Sequence, residues 1–257
     1  MSTVKNVRNQ EGENIHVEVF TPEEIKGTVV FCHGITGCRK GRTMDDDYFQ
    51  KMAQMIQDKN YKAVLFDFSG HGESEGNDYD VTLTKSTDEL RRVFEAEVDL
   101  GKEIKFVAFS YGATVLCNFL ESNPGIIPSG IVLYSPCFYP LESCFLNENS
   151  IFGKDIVKAY NNGDLEKNGY AVVGAKNFKF GYNMIDDCRR FKANRFIELR
   201  DNILVLAGKQ DVILDLSYNE EFCKKNNIRM KYFDASHSLY EDIENAIAVS
   251  LEFLRIE

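Results

Sequence analysis

The 257-residue sequence predicts an α/β fold: a mostly parallel central sheet with helices on both faces, an N-terminal antiparallel hairpin and an inserted cap. Three observations carry that prediction. From residue 28 to 136, short apolar or β-branched runs alternate with stretches of helical periodicity, the pattern of βαβ units with right-handed crossovers. Between residues 137 and 200 the alternation fails. It then resumes to the end of the chain.

The elements follow in order. Val4 to Val7 and Ile15 to Phe20 have extended character, and Asn9-Gln10-Glu11-Gly12 supplies the turn of a hairpin. Thr28 to Cys32 is a continuous β-branched and aromatic run, hence a central strand. It breaks into the loop His33-Gly34-Ile35-Thr36-Gly37. Phe49, Met52, Ala53 and Ile56 then fall on one helical face. Tyr61 to Phe66 is the next strand, followed by the loop Asp67 to Gly76 and a helix from Leu83 to Asp99. Ile104 to Phe109 is long enough for a buried strand and too short for a helix, and a helix from Tyr111 to Leu120 follows it. Ile131 to Tyr134 is another strand. Residues 137–200 mix helical pieces (Gly153 to Tyr160, Asp186 to Phe191) with an extended stretch, Tyr170 to Tyr182, that suits a hairpin. This stretch is expected to sit over the sheet as a cap, with 1–136 and 201–257 forming the core. Ile203 to Ala207, a helix from Leu216 to Lys225, Ile228 to Phe233 and a helix from Leu239 to Ile256 complete the pattern.

Bulk composition narrows the function. A net charge of −10 argues against nucleic acid or an anionic membrane surface as partner. No run of ~18 apolar residues exists, so no membrane span is expected. The segment from Met1 to Asn14 is polar and lacks a secretory h-region. Seven cysteines, an odd number without C-x-x-C spacing, fit reduced thiols and a cytoplasmic location better than disulfides or zinc. No cofactor or metal is expected. Asp45-Asp46-Asp47 resembles a metal cluster, but a charged helix N-terminus explains it better.

In an open parallel sheet, ligands bind beyond the carboxyl ends of the strands. The residues just past those ends include His33-Gly34-Ile35, His71, Ser110, Asp211 and His237. Ser110 stands between a buried strand and a helix, with Gly112 and Ala113 permitting a sharp turn. That arrangement suits a nucleophile elbow, although a serine there could simply cap the helix. Serine needs a histidine to take its proton and a carboxylate to orient that histidine. The chain supplies one of each in the order Ser110, Asp211, His237.

Five stretches carry a resemblance: His33-Gly34-Ile35-Thr36-Gly37, Asp67-Phe68-Ser69-Gly70-His71-Gly72-Glu73-Ser74, Ala108-Phe109-Ser110-Tyr111-Gly112, Gly208-Lys209-Gln210-Asp211 and Ala235-Ser236-His237. Together the chain resembles serine hydrolases of the α/β-hydrolase fold, among them the cinnamoyl (feruloyl) esterases and the capped, monoacylglycerol-lipase-like enzymes. The resemblance implies Ser110 as nucleophile, His237 as general base and then acid, and Asp211 as its orienter. It implies an oxyanion hole made by the backbone N–H groups of Ile35 and Tyr111. Two positions depart from the common pattern. Ala108 stands where glycine is usual. Tyr111 is bulky and is expected either to wall the pocket or to offer its hydroxyl to substrate.

Competing residues have plainer readings. His33 is expected to shape the oxyanion loop, His71 to brace a Gly-His-Gly turn, and His16 to lie at a sheet edge. Asp215 falls where a helix should begin, and Asp234 is the alternative acid. Cys32 and Cys38 are expected as small packing residues. The aromatics of the cap, Phe138, Tyr139, Phe145, Phe152, Tyr160, Phe178, Phe180 and Tyr182, divide between its own core and a pocket wall. The function expected is hydrolysis of a small-molecule carboxylic ester with a modest apolar or aromatic acyl group. Monoacylglycerol lipase, thioesterase or small peptidase are alternatives with the same triad, and a non-catalytic binding protein is the alternative of another class. A homodimer is left open.

Overall fold

The computed structural model describes residues 2–174 and 176–256, so Met1, Ala175 and Glu257 of the expected core and cap lie outside the described residues. Six strands come first: β1 (Ser2–Arg8), β2 (Asn14–Phe20), β3 (Gly27–Cys32), β4 (Tyr61–Phe66), β5 (Glu103–Phe109) and β6 (Gly130–Tyr134). A separate antiparallel hairpin, β7 (Tyr170–Val173) and β8 (Phe178–Gly181), intervenes before β9 (Ile203–Gly208) and β10 (Arg229–Phe233). The main sheet has eight strands in the order β1-β2-β4-β3-β5-β6-β9-β10. The β1–β2 and β2–β4 pairs are antiparallel and every other pair is parallel. The two outermost strands carry exposed basic residues: Lys5 and Arg8 on β1, Arg229 and Lys231 on β10.

The inner strands β3, β5, β6 and β9 are buried on both faces because helices cover both. On one face Val30, Cys32, Phe106 and Ala108 pack towards α2 (Leu83–Glu97) and α3 (Tyr111–Ser122). On the other, Val29, Phe31, Val107 and Phe109 pack with α1 (Tyr48–Gln57) and α9 (Ile243–Phe253). Helix α2 starts where expected, with the Thr82 hydroxyl accepting from the Lys85 amide at 3.2 Å.

Between β6 and β9 the chain leaves the sheet. It makes a π-helical turn (Pro140–Phe145), α4 (Gly153–Asn161), α5 (Asp164–Asn168), the β7–β8 hairpin, α6 (Tyr182–Cys188) and α7 (Asn194–Glu198). Helix α8 (Leu216–Asn226) then bridges β9 and β10.

Three sequence expectations need correction. The helix expected at Asp186 to Phe191 begins at Tyr182, directly after β8, and buries Met184, Ile185 and Cys188. The last helix begins at Ile243 and not Leu239. Leu239 adopts a left-handed φ of 55° that turns its side chain fully inside, and Tyr240–Asp242 form a single 3-10 turn. Of the run Asp45-Asp46-Asp47 only Asp47 stands at the helix start, as the N-cap of α1 without a side-chain capping bond. Asp46 instead accepts from the amides of Arg42 and Thr43 at 2.7 and 2.9 Å, closing the loop ahead of the helix. Among the described residues no cluster of His, Cys, Asp and Glu could hold a metal, and no helix is long and apolar enough to cross a membrane.

Candidate active site

Register brings the site loops to one edge. Cys32, the last residue of β3, pairs with Ala108 of β5; Phe109 pairs with Tyr134 of β6; Phe233 of β10 pairs with Gly208 of β9. The loops that start at residues 33, 110, 135, 209 and 234 therefore leave the sheet side by side.

Ser110 sits at φ 50° and ψ −118°, a strained backbone conformation for a residue with a side chain. No side-chain capping bond to α3 accompanies it, so the plain capping reading fails. Two glycines let the turn close. A Cβ on Gly112 would stand 2.3 Å from the Cys32 carbonyl oxygen, so α3 starts hard against the end of β3. A Cβ on Gly34 would meet the Phe109 ring at 2.7 Å and Ser110 Cβ at 3.1 Å, so the 33–37 loop lies directly on the elbow. Ala108 is fully buried in the core beneath, where its methyl is accommodated.

Asp211 and His237 face each other across the loops after β9 and β10. His237 Nδ1 lies 2.7 Å from Asp211 Oδ2. An ionised carboxylate only accepts, so Nδ1 carries the hydrogen and Nε2 is left as the acceptor. The other carboxylate oxygen, Oδ1, accepts from the amides of Ile213 and Leu214 at 2.8 and 2.9 Å. Burial raises the Asp211 pKa, but the His237 ring and the two amides outweigh it and hold the carboxyl below its ordinary value. Asp211's side chain is 1% exposed and His237's 14%, so the carboxylate is shielded while the ring reaches solvent. The Phe109 ring packs 5.1 Å from the imidazole, a contact that spacing alone could not reveal.

The rival residues are accounted for. His33 Nε2 accepts from the Phe68 amide at 2.9 Å, so its Nδ1–H donates to the Gly34 carbonyl at 2.8 Å. His71 repeats the device: Nε2 accepts from the Thr36 amide at 3.3 Å and Nδ1–H donates to the Ser69 carbonyl at 3.0 Å. Both rings are buried and neutral, and burial lowers the pKa of His71 to about 3. His16 lies on β2, 3.5 Å from Glu73. Asp215 caps α8 by accepting from the Ser217 amide at 3.1 Å. Asp234 is exposed and accepts from Gln210 Nε2 at 2.9 Å. All seven cysteines are free and buried.

Ile35 and Tyr111 stand on the two loops that meet at the elbow. The Ile35 amide has no hydrogen-bond partner among the described residues. Tyr111 opens α3, and an amide at that position has no partner within its helix. Of the two roles expected for Tyr111, it takes the first, as part of the cavity wall. It is fully buried and its hydroxyl lies 3.2 Å from Ser86 Oγ, packed near Phe68, so it offers nothing to a substrate.

A network of charges fixes the loop that holds Ile35. Arg39 donates from its amide and from Nη1 to the two oxygens of fully buried Asp67, each at 2.6 Å. Its Nε reaches Glu18 at 3.3 Å and its Nη2 pairs with Glu73.

These groups surround one cavity of about 340 Å³. Its walls include Ile35, Ser110, Tyr111 and His237, with Cys137, Cys144, Phe145 and Phe152 from the chain between β6 and β9. Of the aromatics in that stretch, Phe145 and Phe152 reach the cavity. Phe138 packs on Phe222 at 4.3 Å, Phe178 on His71 at 5.3 Å and Phe180 on Phe145 at 4.7 Å, while Tyr139 and Tyr160 are exposed. The segment is seated on the acid's loop: Ile151 donates to the Val212 carbonyl at 3.1 Å and Ser150 Oγ to that of Ile213 at 2.6 Å. Arg42 and Lys176 also line the cavity, and both went unrecognised in the sequence.

Sheet, crossovers and the strand-end loops define an α/β hydrolase. The chain belongs to the Hydrolase_4 family (serine aminopeptidase, S33), whose model matches residues 23–244. No curated relative matches it in sequence. Solved structures match over nearly the whole chain. Est1E from Butyrivibrio proteoclasticus, solved with ferulic acid bound, superposes with a TM-score of 0.74 at 15% identity, covering 98% of each chain. The Pyrococcus furiosus esterase Pf2001 gives 0.69 at 16%, covering 99% of this chain and 91% of its own. Mouse alpha/beta hydrolase domain-containing protein 10 gives 0.72 at 13%, covering 98% of each. At such identities the likeness speaks for the fold.

Proposed function

We propose that this hydrolase is a serine carboxylesterase working through an acyl-Ser110 intermediate, with residues 137–200 as its cap. The observation that carries the reading is the Asp211–His237 pair, opening into the cavity that strained Ser110 also lines.

In this mechanism Ser110 Oγ attacks the ester carbonyl carbon and His237 Nε2 takes the hydroxyl proton. Asp211 holds Nδ1–H and steadies the imidazolium. The oxyanion is received by the Ile35 and Tyr111 amides, donors of a kind worth ~3 kcal/mol each. The carbon–oxygen bond to the alcohol then breaks, and the alcohol leaves with the proton from His237. Water attacks the acyl-serine, gives a proton to His237, and Ser110 departs as its hydroxyl with the acid released. Ser110 Oγ makes no hydrogen bond to His237 among the described residues, and in such sites that bond commonly tightens only with substrate present.

Cys137, Cys144, Phe145 and Phe152 give the acyl side an apolar wall, which supports a modest apolar or aromatic acyl group. The family's aminopeptidase description raises a peptide as alternative substrate. An aminopeptidase needs a carboxylate in the pocket for the substrate's free ammonium, and the cavity wall carries none; its charged residues besides His237 are Arg42 and Lys176. That favours the ester.

Ser110→Ala is expected to lower kcat on p-nitrophenyl butyrate by about 10⁶-fold with the circular dichroism spectrum unchanged. Wild type is expected to take up a fluorophosphonate probe at Ser110. Wild-type turnover in the variant would sink the mechanism. Absence of labelling in the wild type would point to a binding protein.

A further inference from the structure

The chain carries 40 acidic and 30 basic residues, yet among the described residues the cavity wall carries two basic side chains, Arg42 and Lys176, and no acidic one. Arg42 belongs to the loop after β3. Lys176 belongs to the turn between β7 and β8, 134 positions later. The fold brings them to one rim: Lys176 Nζ donates to the carbonyl of Arg42 and, at 2.7 Å, to that of Thr36.

Among the described residues one carboxylate stands close to this pair of charges, and it faces Arg42. No carboxylate lies within 4 Å of Lys176 among the described residues, and its two bonds go to uncharged carbonyls, leaving a third proton to give. Arg42 has Asp46 3.7 Å from its Nε, but Asp46 already accepts from two backbone amides. Both Nη atoms of Arg42 lack hydrogen bonds among the described residues, and the buried Nε has none either. Glu241 is bound to the amide and hydroxyl of Ser236 at 3.0 and 2.9 Å, and these bonds, with a smaller contribution from Arg42, hold its carboxyl below the ordinary value.

The rim also adjoins the loop that carries His237. The Arg42 guanidinium lies 3.9 Å from the ring centroid of Tyr240, three residues beyond His237 on the same loop. In the mechanism proposed above His237 protonates the departing oxygen, so the alcohol portion lies next to that loop.

We propose that the substrate's alcohol portion carries an anionic group, a carboxylate or phosphate, held by Arg42 and Lys176 while the apolar acyl chain lies against the cap. This rests on the esterase reading above. A guanidinium beside an ammonium matches the bidentate-plus-point-charge recognition of such anions.

The test compares wild-type kcat/KM on three probes followed by acid release: propyl butyrate, the butyrate ester of 3-hydroxypropanoate and the butyrate ester of 2-hydroxyethyl phosphate. The expected result is a preference of about tenfold or more for at least one anionic ester over the neutral one, and the two anionic probes tell carboxylate from phosphate. Arg42→Gln with Lys176→Gln should bring that ratio towards one, read within the variant so that any general loss cancels. A monopropyl succinate arm, with the charge moved to the acyl side, should show no preference. Turnover of propyl butyrate with no gain from either anionic alcohol, or a gain from the succinate alone, overturns this proposal and leaves the esterase standing. Turnover of none of the four overturns both.

Discussion

At the scale of single residues, the acid is the position where sequence left a choice between Asp211 and Asp234. Asp211 receives two amides and one imidazole within 2.9 Å, whereas Asp234 is exposed and held by one glutamine. Asp211→Asn keeps the shape but presents an amide where the ring needs an acceptor, so the histidine loses its working tautomer. Its kcat is expected to fall by about 10⁴-fold, in line with the loss of the orienting carboxylate in other triads. Asp234→Asn should hold kcat within a factor of two or so, since it touches neither ring nor cavity. Stopped-flow release of p-nitrophenol measures both, and equal losses in the two variants would show that the acid is misassigned. Tyr111 teaches a different lesson at this scale. Its place after the nucleophile was legible, but its direction was not, because nothing local announces that Ser86 on α2 would receive the hydroxyl.

At the scale of elements, strands β3, β5, β6 and β9 were readable because each is a short apolar run between polar breaks. Their helices were readable from a stripe of buried residues, as in Phe49, Met52, Ala53 and Ile56 on α1. The 137–200 stretch was legible in outline only. Its helices are short, five to nine residues, so their periodicity barely repeats before each ends. Where the β7–β8 turn lands is a tertiary matter, and Lys176 could be found only in three dimensions. Arg39 was likewise silent in sequence. It joins the loop after β3 to Asp67 after β4, and its removal would leave a fully buried carboxylate without a counter-charge, held only by the amides of residues 39 and 73. Arg39→Ala is expected to reduce unfolding stability by about 3–5 kcal/mol in urea titrations. A loss below about 1 kcal/mol, the range of exposed pairs, would show that the network contributes little.

At the scale of the whole molecule, acid stability follows from the two neutral histidines inside. Burial lowers both pKa values, with His71 taken from the ordinary 6.5 to about 3. Between those limits the unfolded chain binds a proton that the folded chain refuses. Stability is therefore fully present above about pH 6.5 and is lost as pH falls, for His71 by up to about 1.4 kcal/mol per pH unit down to about 3, with His33 adding a loss of the same sign. Asp211, held below its ordinary value, adds a loss of the same sign lower down. The thermal midpoint is expected to be flat from pH 8 to 7 and to decline below 6.5, with a shallower decline in His71→Gln. A midpoint unchanged between pH 7 and 4.5 would contradict the burial of neutral rings.

The sheet's two open sides have a consequence for life in a crowded solution. A row of unpaired peptide groups is a template on which a second copy could add a strand without limit. Arg8 on one border, and Arg229 and Lys231 on the other, set like charge against like charge whenever two identical borders approach. A molecule so acidic in sum thus keeps cations at its seams. Exchanging Arg8 and Lys231 for threonine would weaken that repulsion while suiting the strands better, making the protein locally more regular and collectively less dispersed.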